Sequence, residues 1–341
     1  MAERRRGGFG WVVGILVVLG LLWTGYWYAA HYFAEAAIAR ITAAHASGRT
    51  VACGEIALGG FPLRLDLRCS RGAYAEAGDR ATAAVGGIAA SAPLYRPGTV
   101  EARLDAPLTI NAPADGIALT ATWTSGTASG GAWLDGLNAG GVSFTGLKAE
   151  NSGTGPELPL SGLTADAASA SFAPAGGGSY AVAADAKQLA LARPNGIAIP
   201  VFDGTLRATA LELGALGTDP TRAVLKWLRG TPHIHIDRLR LAAAGAIVTA
   251  SGDLSLSSSG LLSGSILLGY NSVEGLASLI EALKPGTRDK YQPALEGLRA
   301  MSKRVTGEDG PALQTTLTFT DGLIWLTIIP LPIDPIPPIR F

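Results

Sequence analysis

The sequence predicts a mainly β protein with some α: one N-terminal transmembrane helix, then a large curved, mostly antiparallel sheet with a few covering helices. Three observations predict this. Trp11 to Ala30 is an uncharged run that follows Arg4, Arg5 and Arg6 closely. From Val51 onward apolar and polar residues alternate, most clearly in Leu206-Arg-Ala-Thr-Ala-Leu-Glu-Leu and Leu254-Ser-Leu, which gives a strand one apolar and one polar face. Turn signals such as Gly59-Gly60, Asp203-Gly204 and Asp321-Gly322 recur every 8–15 residues, the rhythm of a meander.

In chain order, residues 1–10 form a basic N-terminus expected in the cytoplasm, and residues 11–30 form the anchor. At ~1.5 Å per residue the anchor reaches about 30 Å, one bilayer thickness. The arginines orient it, so the remainder is expected in the periplasm of a bacterium, attached to the inner membrane. Trp11 at one end, with Trp27 and Tyr28 at the other, reads as an aromatic belt. A cleaved signal peptide would share the basic and apolar regions. However, bulky Trp23-Thr-Gly-Tyr-Trp-Tyr follows the apolar core, and the only A-x-A, Ala34-Glu35-Ala36, lies well beyond it.

Residues 31–48 continue as a helical stalk, with Ile38 and Ile41 at helical spacing and Gly48 as a stop. Residues 49–341 form one β-rich body, because no composition shift divides Val51 from Ile329. Its first expected strands are Val51–Leu58, Phe61–Cys69, Thr82–Ala92 and Thr99–Leu104. Helical insertions fall near 219–229, with Asp219 as N-cap and Pro220 at the first position, and near 272–305. The latter holds two helices, Ser272–Leu283 and Tyr291–Val305. Their stripes Leu276, Leu279, Ile280, Leu283 and Leu295, Leu298, Met301 can cover a sheet face. The tail from Pro330 has proline at 330, 332, 335, 337 and 338 and must be extended.

Composition excludes several classes. With 27 basic and 27 acidic residues scattered along the chain, no basic face for nucleic acid exists. The 45 glycines punctuate alternating segments and show no collagen period.

The two cysteines, Cys53 and Cys69, sit on the arms of an expected hairpin that turns around Gly59 to Pro62. In the periplasm such a pair would be oxidised. Two independent buried thiols are the alternative, and the spacing is not that of a redox Cys-x-x-Cys.

Catalytic motifs are not evident: there is no G-x-S-x-G, P-loop, dinucleotide fingerprint or H-E-x-x-H. His233, His235 and Asp237 share one face of a strand and could present a Zn²⁺ site. They are equally the polar side of a strand whose other side carries Ile234 and Ile236. Trp123, Trp133, Trp227 and Trp325 either line a groove or anchor the core. The expectation is therefore no enzyme and no cofactor.

The order of an anchor, an aromatic-rich exit, Cys53, Gly60-Phe61-Pro62-Leu-Arg-Leu and Cys69 resembles a bacterial envelope family known as domain of unknown function 2125. The closing Thr320-Asp-Gly-Leu-Ile-Trp-Leu-Thr-Ile-Ile-Pro-Leu-Pro is similar to that family's C-terminal end, with Thr327 where the pattern tends to have glycine. Gly252-x-Leu-x-Leu-x3-Gly260-x-Leu-x-Gly264-x-Ile266 is similar to strand pairs of AsmA-like envelope proteins, which are associated with lipid movement or outer-membrane assembly. The expected function is to hold or pass lipid-like ligands in a sheet groove for envelope maintenance. The alternative is a structural adaptor that docks an envelope protein. The expected partners are thus the inner membrane and either lipid or an envelope protein, with no nucleic acid.

Overall fold

A computed structural model describes residues 8–43, 49–76, 80–133, 136–153, 161–193, 199–216, 220–283, 286, 288–307, 310–326, 329–331 and 335–339. Helix α1 (Gly8–Ala43) leads into a hairpin, with β1 (Arg49–Cys53) and β2 (Ile56–Gly59) running out and β3 (Arg64–Cys69) and β4 (Gly72–Glu76) returning. A meander follows through β5 (Thr82–Pro93), β6 (Thr99–Ala112), β7 (Ile117–Thr122), β8 (Ser125–Trp133), β9 (Gly136–Asn151), β10 (Gly162–Gly176), β11 (Ser179–Ala192) and β12 (Phe202–Leu211). After α2 (Pro220–Leu228) come β13 (His233–Ala243), β14 (Ala246–Leu256) and β15 (Leu262–Tyr270). Helices α3 (Val273–Leu283) and α4 (Arg288–Met301) precede β16 (Lys303–Gly307), β17 (Gly310–Thr320), β18 (Leu323–Leu326) and the two-residue β19 (Ile329–Pro330).

Among the described residues, nineteen strands form one sheet, and each described pairing is antiparallel, mostly between neighbours in sequence. The mainly β, antiparallel expectation holds. Several element bounds differ. The strand expected at Val51–Leu58 breaks at Gly54-Glu55, and Phe61 lies in the turn before β3. The short β4 was not expected. Helix α4 stops at Met301, and the expected helical Lys303–Val305 lies in β16, paired with β17. The proposed caps Asp219 and Gly48 lie outside the described residues. So do the anchor's Arg4, Arg5 and Arg6 and Thr327.

Helix α1 runs unbroken through the expected anchor and on through the expected stalk as far as Ala43, where the described residues stop. Among the described residues, no helix is long and apolar enough to cross a membrane.

Register turns the period-two alternation of each strand into rows that cross the whole sheet. One row reads Leu67, Ala90, Ala102, Ala128, Val142, Ala170, Ala184, Leu206, Leu239, Ala250, Leu268, each the cross-strand partner of the last. The parallel row Ile88, Leu104, Gly126, Phe144, Ala168, Ala186, Gly204, Leu241, Val248, Tyr270 points to the same side. On the opposite side, Arg68, Ala89, Arg103, Thr127, Ser143, Ser169, Asp185, Thr205, Arg240, Thr249 form an almost wholly polar row. The sheet thus has an apolar face rich in alanine and glycine and a polar face.

Helices cover the apolar face at its two ends. Helix α1 lies against β1, while α3 packs on β14 and α4 on β17. At the α3–α4 end, Tyr270, Leu298 and Leu326 are almost fully buried, with Leu268, Leu276, Met301, Leu313 and Leu317 packed around them. Burial pushes the Tyr270 hydroxyl pKa up, opposed by its hydrogen bond with Ser302 at 2.6 Å. The glycines of the Gly252–Ile266 motif have a local cause. A Cβ on Gly252 (φ +142) would lie 2.3 Å from Ser265 O, and one on Gly264 (φ +132) 2.2 Å from Asp253 O, so only glycine lets β14 and β15 approach there. The proline-rich tail hydrogen-bonds along the strand ends, Ile336 N to Gly322 O and Ile339 N to Gly260 O, each 2.9 Å.

Because the large buried side chains concentrate at this end, Leu298→Ala should destabilise the protein by about 2–5 kcal/mol. Leu225→Ala, at an exposed position of α2, should cost far less. Denaturant titration followed by circular dichroism checks the pair.

Candidate functional site

The hairpin between α1 and the meander is the most tightly tied feature of the N-terminal half. Its outer arms β1 and β4 and inner arms β2 and β3 keep a single register, Cys53 facing Gly72 and Ile56 facing Cys69. The ladder is irregular only at Gly54-Glu55 opposite Ser70-Arg71. There Gly54 N donates to Arg71 O (2.9 Å), Ser70 N to Glu55 O (3.1 Å) and Glu55 N to Ser70 Oγ (2.8 Å). The Cys53–Cys69 disulfide crosses this irregularity diagonally, with Cα atoms 5.7 Å apart.

At the hairpin tip, Gly60 has φ +98, and a Cβ there would meet Arg64 O at 2.6 Å. Glycine is therefore required, and Arg64 N closes the turn on Gly60 O at 3.1 Å. The Gly60-Phe61-Pro62 turn docks on α1. Trp23 Nε1 donates to Pro62 O (2.7 Å) and Trp27 Nε1 to Arg64 O (3.0 Å). The Phe61 ring stands edge-on to Trp27 with centroids 5.3 Å apart, and His31 stacks on Trp27's ring at 4.9 Å. Trp27, expected in the aromatic belt, is only 7% exposed and serves as the hairpin's packing anchor. Tyr28 is 64% exposed. The side chain of Trp11 lies outside the described residues.

A cavity of about 350 Å³ lies beside this junction on the apolar face, lined by Ile38 of α1 and by Val51, Ile56, Leu67, Val85, Ile88 and Leu108. On the polar face a trough of about 770 Å³ spans β3 to β10. Its floor carries Arg68 and Arg103 on either side of Ala89, then Thr127, Ser143 and Ser169. Beside them Asp66 accepts from Arg64 Nε and from Ser91 Oγ, each at 2.8 Å. The sequence reading missed this trough. Arg64-Leu-Asp-Leu-Arg68 and Glu101-Ala-Arg103 carry its alternation, but only register shows that they adjoin.

His233 and His235 do lie on one face of β13 with Asp237. His235 faces Asp253 of β14, its Nδ1 2.6 Å from Asp253 Oδ1 and its Nε2 3.7 Å from Asp237 Oδ1. The hydrogen bond to Asp253 raises the His235 pKa above the ordinary 6.5. Slight desolvation opposes the shift, and the charges of Asp253 and Asp237 reinforce it. His235 is thereby an ion-pair partner across two strands. Among the described residues, no group of three or more His, Cys, Asp or Glu could hold a metal ion.

The four tryptophans divide. Trp123 donates to Leu104 O (2.8 Å) and packs on Phe144, and Trp227 ties α2 to Leu211 O (2.9 Å), so both are anchors. Trp325 Nε1 is buried without a partner. The Trp133 side chain lies outside the described residues.

Two tests follow from this geometry. Replacing both cysteines with serine should lower stability by up to about 3 kcal/mol, the loop-closure value for this separation, as read by thermal melting. The raised His235 pKa means that its pairing stabilises the fold below pH 6.5 and that this contribution is lost as pH rises through the folded value. Solvent screening keeps the effect small at so exposed a site. An NMR titration should place the His235 midpoint above 6.5, and Asp253→Asn should bring it down more than Asp237→Asn does. An unmoved midpoint in Asp253→Asn would contradict the assignment.

A family model described as "Uncharacterized protein conserved in bacteria (DUF2125)" matches residues 26–337. That span takes in Trp27, the hairpin and every strand, and the chain belongs to this family. No curated protein and no solved structure matches the chain.

Proposed function

We propose that this member of the DUF2125 family is a non-catalytic protein of the bacterial envelope. In this reading α1 anchors it once in the inner membrane, with the arginine-rich N-terminus in the cytoplasm and the sheet in the periplasm. The sheet is curved by its register shifts, at Val85/Gly87 and Ala186/Leu189 among others. Its apolar face holds the acyl chains of lipid-like ligands during envelope maintenance. Three features support the anchor and the compartment. Ile15 to Leu22 is an exposed apolar stretch of helix, three arginines precede it, and a disulfide suits an oxidising compartment.

One observation carries the ligand assignment. Between the ends capped by α1 and by α3–α4, the apolar rows remain accessible across β8 to β11. Val142 is 40% exposed, Ala170 is exposed, and Phe144, Phe172 and Val182 are only half-buried. Alanine and glycine make this middle shallow, so an extended alkyl chain can lie along a row without displacing side chains. At ~0.8 kcal/mol per buried CH₂, about ten methylenes supply ~8 kcal/mol, comparable with the estimated cost of association. The polar trough on the opposite side is unsuited to acyl chains, so the ligand surface is the apolar face and not the deeper concavity.

Lipid extraction and native mass spectrometry on the full chain, purified in amphipol, test this reading. Val142→Asp should reduce co-purified phospholipid several-fold, while Ser143→Asp, on the polar face, should leave it unchanged. Equal lipid in both variants would reject the apolar face as its site. A lipid-free chain that crosslinks to an envelope protein would favour an adaptor.

A further inference from the structure

The hairpin tip sits beside a part of α1 that, on the anchor reading, lies inside the bilayer. The expected span ends at Ala30, and Trp23 lies seven residues earlier, ~10 Å deeper at 1.5 Å per residue. Helical side chains lean toward the N-terminus, here toward the membrane centre. Yet Trp23 Nε1 is hydrogen-bonded to Pro62 O at 2.7 Å, and Trp27, one turn on, holds Arg64 O. The tip is thus fastened at the depth of Trp23 and cannot stand above the membrane surface while these bonds last.

The exposed chemistry of the tip fits that position. Phe61 is 55% exposed and Leu63 57%, both turned away from the sheet's own core. Leu63 O accepts from Leu94 N at 3.0 Å, which brings in the next turn, where Tyr95 is 66% exposed and Arg96 is also exposed. Single exposed apolar residues need no explanation. Three large ones lie on two joined turns, and the Trp23–Pro62 bond fastens those turns to α1 just after the exposed aliphatic stretch Ile15–Leu22. Arg96 at their border supplies a cation at headgroup level, and Tyr95 the amphipathic ring favoured at that interface.

We propose that the Gly60–Leu63 tip, with Tyr95, is a membrane-inserted wedge. Phe61 and Leu63 would enter the periplasmic leaflet alongside α1, and the Trp23 and Trp27 bonds would satisfy the turn's carbonyls Pro62 O and Arg64 O where water is scarce. The partner is the phospholipid leaflet that α1 crosses, so the inference rests on the anchor reading. The disulfide then has a mechanical role: it ties the arms of a hairpin whose tip is held in lipid to the strand ladder outside.

The native chain has no free cysteine, so an introduced one is the single site for a nitroxide label. Three full-length variants, Leu63→Cys at the tip, Leu19→Cys in α1 and Leu323→Cys on β18, are labelled and reconstituted in vesicles of phosphatidylethanolamine and phosphatidylglycerol. All three positions are exposed, so labelling spares the core. Collisions with lipid-soluble oxygen and with a water-soluble nickel chelate are then compared. The wedge predicts oxygen-dominated relaxation at Leu63 and Leu19 and nickel-dominated relaxation at Leu323. Nickel dominance at Leu63 with oxygen dominance at Leu19 overturns the wedge and leaves the anchor standing. Nickel dominance at Leu19 overturns the anchor and the wedge with it.

Discussion

The rows that run from Leu67 to Leu268 and from Arg68 to Thr249 exist only while each antiparallel pair keeps its register. A slip of one residue in any strand would turn its alanines to the polar side and its serines and arginines to the apolar side. Everything else in the molecule answers to the surface this creates. A sheet with one apolar face must bury it, and this chain supplies large covering side chains at one end, where Leu298 and Leu326 close over Tyr270. Along the middle the face is rich in small residues, and Val142 and Ala170 there are exposed. Backbone pairing, not a thick core, is the main organiser there.

The N-terminal edge of the sheet is secured differently. The hairpin from Arg49 to Glu76 is crossed by a disulfide at its irregular middle and pinned at its tip by two indole hydrogen bonds from α1. The motif Gly60-Phe61-Pro62 has a physical meaning in this arrangement. Glycine makes the turn, phenylalanine meets Trp27, and the carbonyl of Pro62 is the acceptor for Trp23. Orientation of the sheet relative to the helix, and through it to the membrane on our reading, depends on those contacts.

Much of the fold was legible because its signals are local. The meander follows from alternation and turn residues, and the Cys53–Cys69 pairing follows from a hairpin whose turn Gly59-Gly60 announces. Other features failed for identifiable reasons. The stripe Leu295, Leu298, Met301 continues at helical spacing to Val305, so α4 read too long, although Lys303–Gly307 is recruited as β16 by pairing with β17. The packing role of Trp27 was not legible because a membrane-interface tryptophan and a packing anchor with one hydrogen bond look identical in sequence. The polar trough was invisible because Arg68, Arg103 and Ser169 come together only through pairings between residues far apart in the chain.

The central claim is that the described residues leave the middle of the apolar face accessible. Hydroxyl-radical footprinting of the full-length protein, delipidated in amphipol and again after addition of phospholipid, tests it at Phe144 and Phe172, which lie on that face. The account predicts substantial oxidation of both rings in the delipidated protein and protection once lipid is added. Equal protection in the two states would contradict it, because it would show that the chain covers this face with its own residues.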